Sequence, residues 1–259
     1  VIALTDAQGP FFAPREQAFP DATDEQWGTI DAFDPGAVTA DGRWWLRFRC
    51  FAVRDESGAV TLIDAGIGPA DSPAAAWAPV PGRLPAELAT VGIDPSDVRT
   101  VVLTHLHTDH IGWAVTRQSR VWRPYFPQAR YVLQRNELDA IDSLNPRLRA
   151  ALIDPLRATD QLSIIDGDEK VSPELSIVAT PGHTPGHQSV LWESGDDLVA
   201  VTGDLLVHAL QLRHPRLAYS QETDADLAAT SRLALLDRVA AGGGLLATPH
   251  LTEPFLSVP

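Results

Sequence analysis

Three imidazoles and one carboxylate fall within six residues in His105-Leu106-His107-Thr108-Asp109-His110. Neutral imidazole and carboxylate are the usual ligands of catalytic zinc and related divalent ions. The hexapeptide follows the apolar run Thr100-Val101-Val102-Leu103, which reads as a buried strand. Alternate side chains of an extended segment point the same way, so His105 and His107 can grip one metal while Leu106 turns back into the core. A bend into a helix after Thr108 would swing Asp109 and His110 towards a second position, and Gly112 would permit close backbone approach there. A histidine cluster that binds nothing is the bland alternative. It suits a lone histidine, but four ligand-type residues at this spacing argue against it.

A rigid site draws on several strand ends, and three later segments share the same grammar. Thr180-Pro181-Gly182-His183-Thr184-Pro185-Gly186-His187 follows the strand-like run Leu175 to Ala179. The run Val199 to Val201 leads through Thr202-Gly203 to Asp204, and Leu245-Leu246-Ala247 leads through Thr248-Pro249 to His250. In each, an apolar strand gives way to small or turn-forming residues and then to a ligand-type side chain.

HLHTDH, PGHTPGH, the Gly203-Asp204 pair and Pro249-His250 together resemble the metallo-β-lactamase superfamily, in order and spacing, over roughly residues 40 to 255. Thr61-Leu62-Ile63-Asp64-Ala65-Gly66 resembles the early strand-plus-Asp motif of that family. The resemblance implies an α/β fold, a four-layer αββα sandwich with the site at one edge. It also implies that His105, His107 and His183 hold one metal, that Asp109, His110 and His250 hold a second, and that Asp204 bridges both. Asp64 would orient a ligand from behind, as outer-shell partners do. His187 reads as structural or as a partner that orients a ligand from behind. Two divalent ions, zinc foremost, would lower the pKa of a bridging water, and the resulting hydroxide would attack a carbonyl or phosphoryl centre. One metal would stabilise the charge that develops on the substrate oxygen. Asp109 and Asp204 are the candidate catalytic residues, with Asp204 assisting proton transfer to the leaving group. Ligand type alone leaves manganese, cobalt, nickel and iron open as native metals.

Composition sets bounds on this reading. A chain of 259 residues can bury a sizeable core. We read residues 1–259 as one domain of that fold, with residues 1–40, rich in Pro, Gly and acids, as an extended N-terminal arm. The single cysteine, Cys50, lies in an apolar run and reads as core rather than nucleophile. It excludes an intrachain disulfide framework and fits a reducing compartment, so a cytoplasmic location is expected. The chain opens at Val1 and lacks methionine, which leaves a trimmed N-terminus and a lost signal peptide open. No apolar run is long enough to span a membrane. A formal charge of −14 argues against nucleic acid as partner. Two bound divalent ions would offset about four of those charges.

The elements that must carry these residues can be sketched. Trp44 to Val53 and Ala59 to Asp64 read as a hairpin turning at Ser57-Gly58. Residues 67–83 read as a loop before a helix over Leu84 to Val91. Arg130 to Leu133 reads as a strand leading into a helix over Arg135 to Leu144. Pro146 to Arg157 reads as helical, with Pro155 ending or kinking it. A second half is expected to open with a strand over Gln161 to Ile165. It closes with a long helix from Thr223, started by a capping box of Thr223 and Asp226, with Leu227, Ser231, Ala234 and Leu235 facing the core. Ala241 to Gly244 ends that helix and is not a phosphate loop, because no GK[ST] follows.

The superfamily hosts many chemistries, so fold alone says little about substrate. Gly203 to Leu212, with Pro215 and Thr223-Asp224, resembles the branch that holds methyl parathion hydrolase and the acyl-homoserine lactonases, as do Ile111-Gly112-Trp113 and Phe126 to Tyr131. The resemblance implies a small-molecule substrate with a neutral ester-like bond, a lactone first. A phosphotriesterase and a thioesterase or cyclase are the alternatives, and a non-catalytic metal-binding protein ranks below them because the ligand set is intact. Many lactonases of this branch carry a tyrosine three residues after the bridging aspartate, where this chain has Val207. Relatives in the branch are often dimers, which leaves a homodimer open. Trp27, Trp77, Trp113 and Trp122 are candidates to line an apolar pocket, Trp113 first. His208 fits either a pocket group or a core histidine.

Overall fold

The computed structural model describes residues 1–118 and 121–258. The chain divides into two compact units, Val1–Ala7 with Phe48–Gly167 and Gln8–Arg47 with Asp168–Pro259. The fold is mixed α/β, and each unit is built on a six-stranded sheet.

The first sheet holds β1 (Ile2–Pro10), β2 (Trp45–Arg54), β3 (Val60–Ile63) and β4 (Val98–Val102). A two-stranded ribbon of β5 (Val115–Gln118) and β6 (Val121–Pro124) follows, and the sheet resumes with β7 (Arg130–Gln134) and β8 (Leu162–Ile165). The expected hairpin forms as the antiparallel pair β2–β3. From β3 through β4 and β7 to β8 the strands are parallel. Parallel strands are covered on their faces, which is why these read as near-continuous apolar runs. Their inward residues, including Leu62, Val101, Tyr131 and Leu133, pack with Leu84 and Leu88 of the helix Leu84–Thr90. Leu106 and Ile111 belong to the same core, so the apolar residues inside the histidine-rich motif anchor it. Ligands in α/β sheets gather beyond the carboxyl ends of parallel strands. Asp64 follows the end of β3, His105 the end of β4, and Glu137 the end of β7.

The second sheet holds β9 (Glu169–Lys170), β10 (Leu175–Ala179), β11 (Gln188–Ser194), β12 (Asp197–Val201), β13 (Leu245–Ala247) and β14 (Phe255–Ser257). β11 runs antiparallel to both β10 and β12, and β12 is parallel to β13. Strands β10, β12 and β13 therefore point the same way. His183, Asp204 and His250 lie just past their three ends. The parallel β12–β13 step needs a crossover, supplied by the helix Ala225–Ala241, whose Leu235, Leu236 and Val239 pack with Leu191, Ala200 and Leu246.

Several elements differ from the sequence reading. Residues 1–40 contain the nine-residue strand β1 and a ten-residue helix, Asp24–Phe33, opened by a Thr23–Gln26 capping box. Residues 108–114 form turns instead of a helix. The helix expected over 135–144 is broken at Ala140, whose ψ of −3° departs from helical values. Residues Arg149–Ile153 form a π-helical turn that runs into the helix Asp154–Ala158, so Pro155 opens a segment instead of ending one. A proline is tolerated there because its missing N–H has no partner in a first turn. The strand over 161–165 pairs with β7, and the division between units comes after Gly167. The long helix is capped by Asp224, which accepts from Leu227 N at 3.0 Å. Its buried stripe is Ala228, Ala229, Arg232, Leu235, Leu236 and Val239, whereas Leu227 is 40% exposed. Docking onto Gly182 sets that stripe: a Cβ on Gly182, which has φ +130°, would run into the backbone of Leu227 and Ala228.

Candidate functional site

In the first unit, His105 and His107 each offer a ligand atom within 4.8 Å of the other, and so do Asp109 and His110. The rings of His105 and His107 are 4.6 Å apart, those of His105 and His110 4.3 Å. Asp64 orders this cluster from behind. It has φ +62°, and its Oδ1 accepts from Thr104 N at 2.7 Å. Its Oδ2 accepts from Thr104 Oγ1 at 2.9 Å and from His110 Nδ1 at 2.7 Å. A hydroxyl has one hydrogen, and Thr104 commits it to Asp64. Thr104 Oγ1 therefore accepts from His105 Nδ1, 3.0 Å away. Both imidazoles are thus held with the proton on Nδ1 and the lone pair on Nε2, the form a metal needs. His110 Nε2 lies 3.5 Å from Asp109 Oδ2.

The turn that carries these candidate ligands is zipped to the segment after β3. Ala65 N donates to His110 O, and Gly112 N to Gly66 O, each at 2.7 Å, and Trp113 N donates to Ala65 O at 2.8 Å. A Cβ on Gly112 would strike the backbone of Ile67 and Gly68, which accounts for glycine there. Asp6 of β1 closes the arrangement. Its buried carboxylate accepts from Ile67 N at 2.7 Å, Leu84 N at 2.6 Å and Trp113 Nε1 at 3.1 Å. Burial pushes the Asp6 carboxyl pKa up, and these N–H bonds oppose it. Trp77 Nε1 donates to Thr108 Oγ1 at 3.0 Å, and Leu106 N donates to buried Glu137 at 2.9 Å, between the two motif histidines.

In the second unit, two imidazoles meet one carboxylate. His250 Nε2 lies 3.0 Å from Asp204 Oδ1, and His183 Nε2 lies 3.3 Å from Oδ2. His250 Nδ1 faces the Arg47 carbonyl at 2.7 Å. A carbonyl can only accept, so Nδ1 carries a proton, and in the neutral ring this leaves the Nε2 lone pair towards Asp204. Lone pairs this close repel unless a cation satisfies both. The chemistry of the donor set therefore fits a divalent metal, with imidazole and carboxylate donors pre-oriented by partners behind them. His187 works differently. Its Nε2 accepts from Asp204 N at 3.0 Å, so its Nδ1 carries the proton towards Thr180. Its Nε2 thus holds the Gly203–Leu205 turn while its Nδ1 holds Thr180 just past the end of β10.

Other sequence candidates fall into place within their units. Cys50 is fully buried, and burial with the nearby Asp6 and Asp64 charges pushes its thiol well up, which makes it a core residue. His208 caps the helix Ala209–Arg213 by accepting from Leu210 N at 3.1 Å, and its ring packs 5.2–5.5 Å from those of Phe19, Trp27 and Trp44. Burial lowers its pKa to about 3. It is a neutral core histidine, and Trp27 is core with it. Trp122 packs on the core of the first unit, and the Trp113 indole N–H is committed to Asp6. Val207 is buried, its N–H donated to Gln211 Oε1 at 3.0 Å. The sequence reading missed Asp6, Thr104, Glu137 and Arg232. None lies in a ligand-like pattern, and only a charge inside an apolar stretch hinted at Asp6 and Arg232.

Residues 49–250 match the family model of the metallo-beta-lactamase superfamily. The chain belongs to that superfamily. Among curated members, an N-acyl homoserine lactonase from a Bacillus species is 34% identical over 107 residues, 41% of this chain and 38% of that protein. The N-acyl homoserine lactonase AttM of Azorhizobium caulinodans is 35% identical over 120 residues, 41% of this chain and 40% of that protein. The matched stretch thus spans about two fifths of these relatives' length. Among solved superfamily structures, the hydrolase AbOPH aligns with a TM-score of 0.78 at 24% identity over 97% of this chain and 87% of that one. AidC, described as a dizinc quorum-quenching lactonase in complex with a product, aligns with a TM-score of 0.76 at 24% identity, with the same coverage of each chain. At that identity the likeness shows the fold. No helix among the described residues is long and apolar enough to cross a membrane.

Proposed function

We propose that the chain is a metal-dependent hydrolase of a neutral ester-like bond, with a lactone as its substrate class. In this reading the two units act as one domain, and His105, His107, Asp109, His110, His183, Asp204 and His250 together hold two divalent ions, zinc foremost. The observation that carries it is the convergence of His183 and His250 on the two oxygens of a single carboxylate, Asp204. Membership of the superfamily and the lactonase names of its relatives support the same reading.

When bound, such ions acidify water and polarise a substrate carbonyl oxygen. The chain's own residues do the rest. Asp64 and Thr104 hold His105 and His110 in one tautomer, and the Arg47 carbonyl does so for His250. His187 pins the Asp204 backbone. In lactone opening, water adds to the acyl carbon, the ring C–O bond breaks, and the leaving alkoxide takes a proton. In this reading Asp204, 5% exposed, carries that proton, with Asp109 beside His110 as the second acidic group. The product is a hydroxy acid, and no side-chain nucleophile is required.

The test is initial-rate hydrolysis by the zinc-loaded protein across acyl-homoserine lactones, simple γ- and δ-lactones, a paraoxon-type triester, an aryl ester, an acyl thioester and a β-lactam. The expected result is metal-dependent lactone turnover above all others, reduced more than about 100-fold in His105→Ala and in folded Asp204→Asn. Dominant triester or thioester turnover, or no lactone turnover with two metals bound, would overturn the lactonase reading.

A further inference from the structure

A fully buried arginine lies on the core-facing stripe of the helix Ala225–Ala241. Arg232 is 0% exposed. Its Nε donates to Leu205 O at 2.6 Å, its Nη1 to Pro215 O at 2.7 Å, and its Nη2 to Glu222 Oε1. Glu222 Oε1 also accepts from Gln211 Nε2 at 3.0 Å, and Oε2 accepts from Tyr219 N at 3.1 Å. Gln211 Oε1 in turn accepts from Val207 N at 3.0 Å. One ion pair therefore ties together the turn after Asp204, the helix Ala209–Arg213 and the loop that carries Tyr219.

Two ends of this network reach candidate ligands. Asp204 sits in the one-turn 3-10 segment Gly203–Leu205. That segment is held from its N-terminal side by His187, which accepts from Asp204 N, and from its C-terminal side by Arg232, which takes the Leu205 carbonyl. The Tyr219 ring lies 6.0 Å from that of His183, at an interplanar angle of 8°. A stacked ring limits how His183 can rotate.

A buried ion pair is weak support for stability, because apolar residues of similar volume often serve as well. This one ends on both sides of the carboxylate–imidazole contact. We propose that the Arg232–Glu222 pair positions Asp204, through the Leu205 carbonyl, and His183, through Tyr219, for metal binding. This inference rests on the metal-centre reading above. Arginine is required because its planar fork reaches three acceptors at once, which a lysine ammonium cannot reproduce in the same geometry.

The test uses the full chain and zinc itself, titrated against a competing chelator, with the visible spectrum of the cobalt-loaded protein as a second readout. Two variants are compared with the parent, Arg232→Lys and the apolar pair Arg232→Met with Glu222→Leu. Thermal unfolding reports the fold of each. A merely structural pair predicts that the apolar double variant recovers stability and metal binding together. The positioning role predicts cooperative unfolding near the parent's midpoint but zinc affinity about 10- to 100-fold weaker, with an altered cobalt spectrum. Arg232→Lys is expected to weaken zinc binding in the same direction. Parent-like zinc affinity and cobalt spectrum in either folded variant would overturn the inference. Should the double variant not fold, Arg232→Lys alone decides. Failure of the parent itself to take up zinc would instead overturn the metal centre, and this inference with it.

Discussion

At the scale of single residues, the decisive information is where each imidazole keeps its proton. His105 and His110 place it on Nδ1 because Asp64 and Thr104 take it, and His250 does so because the Arg47 carbonyl takes it. His187 has the same tautomer but turns its lone pair to a backbone N–H, which keeps it apart from the candidate ligands. His208 makes a separate, testable statement about stability. Burial foremost, with Arg15 adding to it and Asp31 opposing it, lowers its pKa from 6.5 to about 3. Between those values the unfolded chain binds a proton that the native state refuses. Its contribution is therefore complete above pH 6.5 and lost as pH falls towards 3, at up to about 1.4 kcal/mol per pH unit. Chemical denaturation of the parent and of His208→Asn, which keeps a cap acceptor and cannot titrate, should show the parent losing stability faster below pH 6.5. An equal pH dependence in both proteins would contradict a buried neutral histidine.

At the scale of elements, strand direction explains why distant residues gather within each unit. Asp64, His105 and Glu137 follow parallel strands of one sheet, and His183, Asp204 and His250 follow three strands that point the same way in the other. Those apolar runs were legible, because buried strands need continuous hydrophobic residues and their ends need turn formers. The broken helices were not legible, because the ψ of Ala140 and the π-turn before Pro155 answer to packing rather than to local propensity. Nor was β1, whose role depends on Asp6. Asp6→Ala would leave the N–H groups of Ile67 and Leu84 and the Trp113 indole without their acceptor. We expect a loss of order 3 kcal/mol in denaturant unfolding, with a changed tryptophan emission spectrum. A loss below about 1 kcal/mol would mean that water replaces the carboxylate without strain.

At the scale of the whole molecule, the acidic balance and the proposed metals act together. A formal charge of −14 repels polyanions and makes bound cations more favourable. A ligand that binds only the native state stabilises it by about 2.7 kcal/mol at a concentration 100 times its dissociation constant. Stripping the metals with a chelator is therefore expected to lower the unfolding midpoint by roughly 5–10 °C, and zinc added back should restore it. A midpoint unchanged by chelation, in protein shown to have held two zinc ions, would mean that the metals add nothing to stability.

The sequence by itself determined the superfamily, the apolar strands and the ligand-type residues at their ends. These are local features, since metal donors, turn formers and buried strands each leave a mark within a few residues. The tertiary structure alone decided that His187 accepts from the Asp204 backbone while His183 meets its carboxylate, that Trp27 and His208 are core, and that Asp6, Thr104, Glu137 and Arg232 stand behind the candidate ligands. Those roles depend on a partner far along the chain. Asp6 meets Leu84, Asp64 meets His110, and Arg47 meets His250 only after the strands have paired and packed. A side chain's residue type says what it can bind, and the backbone brought beside it says what it does bind.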